Sequence, residues 1–197
     1  MANKIEVDHL NYEQIRAQAD AFLSKYNPMG TVPVPIEEII EFQLRLNIIP
    51  LPNLQNLYDT VGFISSDFKS INVDKFILEK RERRYRFSLA HEVGHLWLHK
   101  ACLSAFNFKS IEEWKTFQCG IDDESYGWLE YQAYSFAGLV LVPRIPLASN
   151  KKNLEDQIKS SGMDATTEAA QEIVAERLAV AFNVSREAID KRLQKDM

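Results

Sequence analysis

The segment SLAHEVGHLWLH, residues 88 to 99, sets histidines at 91, 95 and 99 and a glutamate directly after the first. Residues four apart on an α-helix share a face with Cβ atoms about 5–6 Å apart, so His91 and His95 can each turn one nitrogen to a single zinc ion. Glu92 lies about 100° further round the helix, beside the ion's open position, where a carboxylate can take a proton from a water on the ion. His99 stands two turns beyond His91, about 12 Å along the axis at 1.5 Å per residue, too far for one ion to bridge. LWLHK continues the helix where a glycine turn would be needed to bring a third histidine back. His99 is therefore expected to support the ligands from behind, or to pack, and the fold must bring the third ligand from another element.

Asp122, Asp123, Glu124 and Glu130 are the candidates for that ligand, since two histidines and one carboxylate form a common catalytic zinc set. Glu130 has the best context. In LEYQAYSFAGLVLVP, Ala133 and Ala137 share its helical face at i+3 and i+7, and small residues there let a second helix approach closely. Gly94 inside the histidine helix lowers helix propensity by about 1 kcal/mol relative to alanine, which close backbone packing would offset. The two observations point the Glu130 helix at the histidine pair.

The rest of the chain divides into short elements. Tyr12, Ile15, Ala19, Phe22 and Leu23 form one helical stripe ended by NPMG, and Ile36, Ile39, Ile40 and Leu44 form another after Pro35. NIIPLPN, with two prolines, is expected to break the pattern. TVGFIS and SINVD predict two strands joined by the polar turn SDFK. After the histidine helix, residues 101 to 122 are expected to be irregular, and a helix through YGWLEYQAYSFAGLVLV is closed by Pro143. Residues 144 to 162 turn polar and mark a boundary. TTEAAQEIVAERLAVAF and SREAIDKRLQK form a helix pair around NVS, with Ser185 as N-cap.

With 197 residues and 46% apolar content, the chain has room for one domain with a helical appendage. A net charge of −5 gives no global affinity for nucleic acid or anionic lipid. The opening residues lack an apolar signal core, and no apolar run approaches the roughly 20 residues that span a bilayer, so a cytoplasmic location is expected. Cys102 and Cys119, in no CxxC arrangement, are expected to be reduced thiols.

RFSLAHEVGHLWLH followed by EYQAYSFAGLVLVP resembles the ImmA/IrrE family of zinc metallopeptidases, whose members pair R-F-x-x-A-H-E-x-G-H with a later E-x-x-A-N-x-F-A-x-x-L-L-x-P. The resemblance is strong over residues 35 to 143, including GFISSDFKSINVD as the strand pair before the motif, and looser beyond. It implies that His91, His95 and Glu130 hold one zinc ion and that Glu92 is the catalytic base. Tyr134 stands where the family carries asparagine, and Val140 and Val142 replace other apolar residues. The stretch between His95 and Glu130 is long and is expected to place an extra loop over the cleft. The implied fold is α+β and zincin-like: a small β-sheet, the HExxH helix, and a C-terminal segment resembling a helix-turn-helix. Residues 1–143 would form the metallopeptidase domain and 144–197 a helical segment packed on it. The implied substrate is a bacterial or phage helix-turn-helix transcriptional repressor; the rival reading is a non-catalytic module that binds and displaces a repressor or toxin.

Further candidates surround this set. Tyr126, Tyr131, Tyr134 and His99 are each able to donate to the oxyanion formed in peptide hydrolysis. In the basic run EKRERRYRF, Arg86 or a neighbour is placed to contact an acidic stretch of substrate, against the alternative of a solvated helix start. Direct DNA binding is disfavoured, because residues 166 to 197 carry five Lys or Arg against six Asp or Glu.

Overall fold

The structure, a computed structural model, describes residues 7–104, 108 and 110–196. Helix α1 (Tyr12–Tyr26) opens on a capping box between Asn11 and Gln14 and buries Ile15, Ala19 and Phe22. Helix α2 (Ile36–Glu38) runs directly into a wider π-type turn (Ile39–Gln43), which buries Ile39 and Ile40. The sheet follows, from β1 (Asn47–Leu51), β2 (Gly62–Ile64) and β3 (Ser70–Asp74) in the order β1-β3-β2. β2 and β3 are the expected hairpin, antiparallel, with Phe63 opposite Asn72. A short helix, α3 (Leu54–Tyr58), precedes β2.

Strand β1 corrects the expectation that NIIPLPN only interrupts the chain: it pairs in parallel with β3, Pro50 opposite Val73. Proline removes one ladder donor, which an edge strand tolerates because only one of its sides is paired.

Helix α4 (Lys75–Lys80), capped by Asp74, leads into α5 (Glu82–Leu103), which carries all three histidines of the motif. The stretch expected to be irregular instead holds the end of α5 and a separate helix, α6 (Ile111–Cys119), none of whose residues is buried. Helix α7 (Asp123–Leu141) starts at an Asp122 cap, and its face of Leu129, Ala133, Phe136, Ala137 and Val140 is buried. The polar stretch after Pro143, read only as a boundary, forms a helix, α8 (Arg144–Ser160), which buries only Leu147 and Ile158 and so lacks a continuous apolar stripe. Pro146 is tolerated there because it falls in the first turn, where amides have no intrahelical acceptor. Helices α9 (Glu168–Phe182) and α10 (Arg186–Asp196) form the expected pair, with the Ala188 amide donating to Ser185 Oγ at 3.2 Å.

One apolar cluster joins α1, the sheet, α5, α7 and the C-terminal helices, from Ile15 and Phe22 through Leu89 and Phe136 to Val174 and Ile189. The chain ends are tied to it by buried polar links. Arg192 donates from Nε to the Val142 carbonyl at 3.1 Å and from Nη1 to Tyr12 Oη at 2.6 Å, and Arg16 pairs with Asp196 at 2.7 Å. Cys102 and Cys119 are free thiols. No helix among the described residues is long and apolar enough to cross a membrane.

Candidate metal centre and active site

Helices α5 and α7 cross with almost no space between their backbones. A Cβ on Gly94 would lie 3.0 Å from Ala133 Cα and 3.1 Å from its carbonyl oxygen, so any larger residue would press on the α7 backbone and force it back. Glu130 stands three residues before Ala133, on the same side of α7. Its carboxylate therefore reaches the histidines: Oε2 lies 3.3 Å from His91 Nε2 and Oε1 lies 3.5 Å from His95 Nε2. The two Nε2 atoms are 3.0 Å apart. One ligand atom from each of His91, His95 and Glu130 falls within 4.8 Å of the others, and two imidazoles with one carboxylate form a donor set suited to a divalent ion. The residues fit such an ion.

The surroundings prepare the donors. His95 Nδ1 lies 3.1 Å from His99 Nδ1, His99 Nε2 lies 3.2 Å from Gln132 Oε1, and Gln132 Nε2 donates to the Asp8 carbonyl at 2.6 Å. Gln132 presents its oxygen to His99, so the His99 proton belongs on Nε2 and its Nδ1 accepts from His95. His95 then carries its proton on Nδ1 and keeps a lone pair at Nε2, the nitrogen facing the other donors. Burial and the neighbouring His95 push the His99 pKa down to about 3, so it stays the neutral acceptor this chain requires. His99 thus fixes the proton position of His95.

Glu92 is buried beside this group and accepts from the Ile64 backbone N–H at 3.0 Å on Oε2. Burial raises its pKa, against the lowering effect of His91 and His95. Burial would also raise Glu130, but the His91 and His95 imidazoles against its carboxylate outweigh that and hold it well below the usual carboxylate range. At His91 burial works downward, and the Glu130 hydrogen bond with the Glu92 charge outweighs it, leaving the pKa raised.

A cavity of about 290 Å³ opens over these groups, bounded by His91, Glu92, His95 and Glu130 on one side and by apolar residues on the other. Of the three tyrosines named from sequence, Tyr126 lines it, with its hydroxyl accepting from Gln118 Nε2 at 2.8 Å. Burial raises its pKa to about 12, so it keeps its phenolic proton. Tyr131 and Tyr134 lie outside the lining: Tyr131 packs against Trp128 beneath Lys195, and Tyr134 packs at a tilt against Phe87 and accepts from Lys191. Arg86 also points elsewhere. It donates to the Val34 carbonyl at 2.8 Å and the Asn183 carbonyl at 3.3 Å, anchoring the start of α5 to the α9–α10 turn. Asp122 caps α7, and Asp123 and Glu124 occupy its first turn.

The sequence reading missed Gln132 and the Ile64 amide. Gln132 carried a signal, since it interrupts the buried stripe Leu129, Phe136 and Leu139 at helical spacing.

Residues 75–194 match the IrrE N-terminal-like domain, a peptidase family. The chain belongs to this family. The match begins after the sheet and includes the C-terminal helices, so the family likeness extends further toward the C-terminus, and starts later, than the motifs alone suggested. A solved Mycobacterium tuberculosis transcriptional regulator is similar in fold, with a TM-score of 0.55 at 14% sequence identity over 92% of this chain. The chain spans 46% of that regulator's length. No curated protein matches the sequence. Membership in the IrrE N-terminal-like family makes this a peptidase-type domain, and the α+β architecture with its small sheet accords with a zincin-like fold.

Proposed function

We propose that the chain is a zinc-dependent endopeptidase that cuts a transcriptional repressor. The observation that carries this reading is the convergence of His91, His95 and Glu130 around a common point, with the buried Glu92 carboxylate beside them and a cavity above. A zinc ion held by those three residues would polarise a peptide carbonyl and acidify a water. Glu92 does the proton work. Its Oε2 is fixed by the Ile64 amide, and the raised pKa favours a base able to accept the water's proton and then give it to the leaving amine. Tyr126, protonated and in the cavity, donates to the developing oxyanion. Strand β2, an outer strand of the sheet, offers its edge to an extended substrate backbone.

The repressor as substrate rests on the family likeness and on a fold shared with a longer transcriptional regulator. In this reading the chain acts in the cytoplasm, residues 1–143 form the metallopeptidase unit, and residues 144–197 pack on it. The chain does not itself read DNA, because α10 spends its cations internally: Arg186 pairs with Glu176 and Asp190, Lys191 pairs with Glu187, and Arg192 is buried.

The test is to incubate the zinc-loaded protein with the repressor encoded nearest to it and follow intact mass beside Glu92→Gln. Discrete fragments from the wild type, slowed about 10²–10⁴-fold in Glu92→Gln, are expected. Uncut repressor that co-purifies equally with both proteins would replace this reading by the non-catalytic binding module.

A further inference from the structure

The segment between His95 and Glu130 supplies helix α6, and α6 carries aromatic residues into the cavity over the candidate active site. Trp114 and Phe117, one turn apart on that helix, line the cavity together with Phe108, Leu103, Ile121 and Leu129. Trp114 is held in place by stacking on Phe63 of β2, ring centroids 5.0 Å apart and 29° from parallel. Phe117 stacks on Phe108 at 5.9 Å, and the Phe108 carbonyl accepts from Ser66 Oγ at 2.8 Å. The aromatic wall is thus attached to the strand beside which substrate backbone would lie.

The wall and the chemistry share one space of about 290 Å³, just below the usual range for a small-molecule pocket, so it takes a side chain rather than a folded segment. Among the described residues no lysine or arginine lines it, while Asp59, Glu92 and Glu130 do. A substrate carboxylate there would meet Asp59 and Glu92 with no lysine or arginine beside it, and on the α6 side the wall is aromatic and aliphatic carbon that offers a charged group no hydrogen bond. A bulky uncharged side chain loses nothing and covers apolar area.

We infer that α6 is the specificity element of this site: Trp114 and Phe117 form an apolar subsite that selects substrates with a bulky aromatic or aliphatic residue next to the cleaved bond. This inference rests on the peptidase reading above. It assigns to α6 the choice of bond and to α5 and α7 the chemistry.

The experiment gives the zinc-loaded protein a proteome-derived peptide library and reads the cut sites by mass spectrometry. Cuts flanked on one side by Phe, Tyr, Trp, Leu or Met are expected. Trp114→Ala should lower the ratio of kcat/KM for those peptides to that for peptides with alanine at the same position about tenfold or more. Phe117→Lys, on a helix with no buried residue, keeps the result interpretable should Trp114→Ala fail to fold; it should open the site to Asp or Glu at the same position. Cleavage with no apolar preference, or a preference that both variants leave unchanged, overturns the subsite and leaves the peptidase reading standing. If zinc-loaded protein cuts nothing, that reading has failed instead, and the subsite is then judged by binding. Capped hexapeptides of alanine with Phe, Ala, Asp or Lys at one position are titrated into Glu92→Gln with tryptophan fluorescence as the signal. Tightest binding for Phe, lost in Phe117→Lys, supports the subsite, and equal binding across the series overturns it.

Discussion

The floor and the roof of the cavity are built in opposite ways. The floor is the α5–α7 crossing, where Gly94 meets the Ala133 backbone so closely that a methyl group would push it back, and both helices bury continuous faces. The roof is α6, a nine-residue helix without a buried residue, held by the Phe63–Trp114 stack and by exposed polar links such as Tyr58 to Glu112. Metal donors must keep their separations to within tenths of an ångström, and a close-packed backbone crossing provides that. A wall that receives different side chains has no such requirement, and few buried contacts leave it free to open locally. Rigidity is concentrated where the chemistry needs it.

The comparison breaks most readily at Gly94. Gly94→Val should force α5 from α7, lowering stability by about 1–3 kcal/mol in urea unfolding and abolishing high-affinity zinc binding. Lys115→Ala on α6 should stay within about 0.5 kcal/mol in the same experiment. Equal losses at the two positions would show that floor and roof do not differ. One step outward, His99→Phe keeps an aromatic ring in place but removes the acceptor for His95 Nδ1, and should weaken zinc affinity about 10–100-fold in chelator competition. Hydrogen exchange should then show α6 amides opening well before those in the middle of α5.

The smallest effect is expected at Tyr58. Its hydroxyl donates to Glu112 and holds that carboxyl below its ordinary value of 4.5. Such a contact stabilises the folded form above the unfolded pKa and is lost as pH falls through the lower, folded one. Exchange in α6, corrected for the intrinsic rate, should therefore speed up below about pH 4.5 in the wild type and show a smaller step in Tyr58→Phe, where the Glu112 amide and the Ser110 hydroxyl still hold the carboxyl down. A step of equal size in both proteins would remove Glu112 as the acid-sensitive tether.

Much of the site was legible because it depends on local periodicity. The i, i+4 spacing of His91 and His95 fixes their common face on any helix, and the glycine and alanines at 94, 133 and 137 announce a close helix crossing. The hairpin and the Ser185 cap were readable for the same reason, since turns and caps are written in neighbouring residues. Strand β1 was hidden because two prolines argue against a strand and only its pairing with β3 overrides them. Helix α8 was hidden because it buries just two side chains, too few for an apolar stripe. Arg86 read as a surface cation and is in fact an anchor for two carbonyls far away in sequence.

The sequence by itself determined the helix that carries His91, Glu92 and His95, the glutamate best placed to face them, and the family to which both motifs point, because each follows from spacing within one segment. Only the tertiary structure decided that Gln132 and the Asp8 carbonyl set the tautomer of His99, that the Ile64 amide holds Glu92, and that Trp114 and Phe117 wall the cavity. Those contacts join residues 28 to 124 positions apart or lie across separate elements, and nothing in local periodicity records which distant segments a chain brings together.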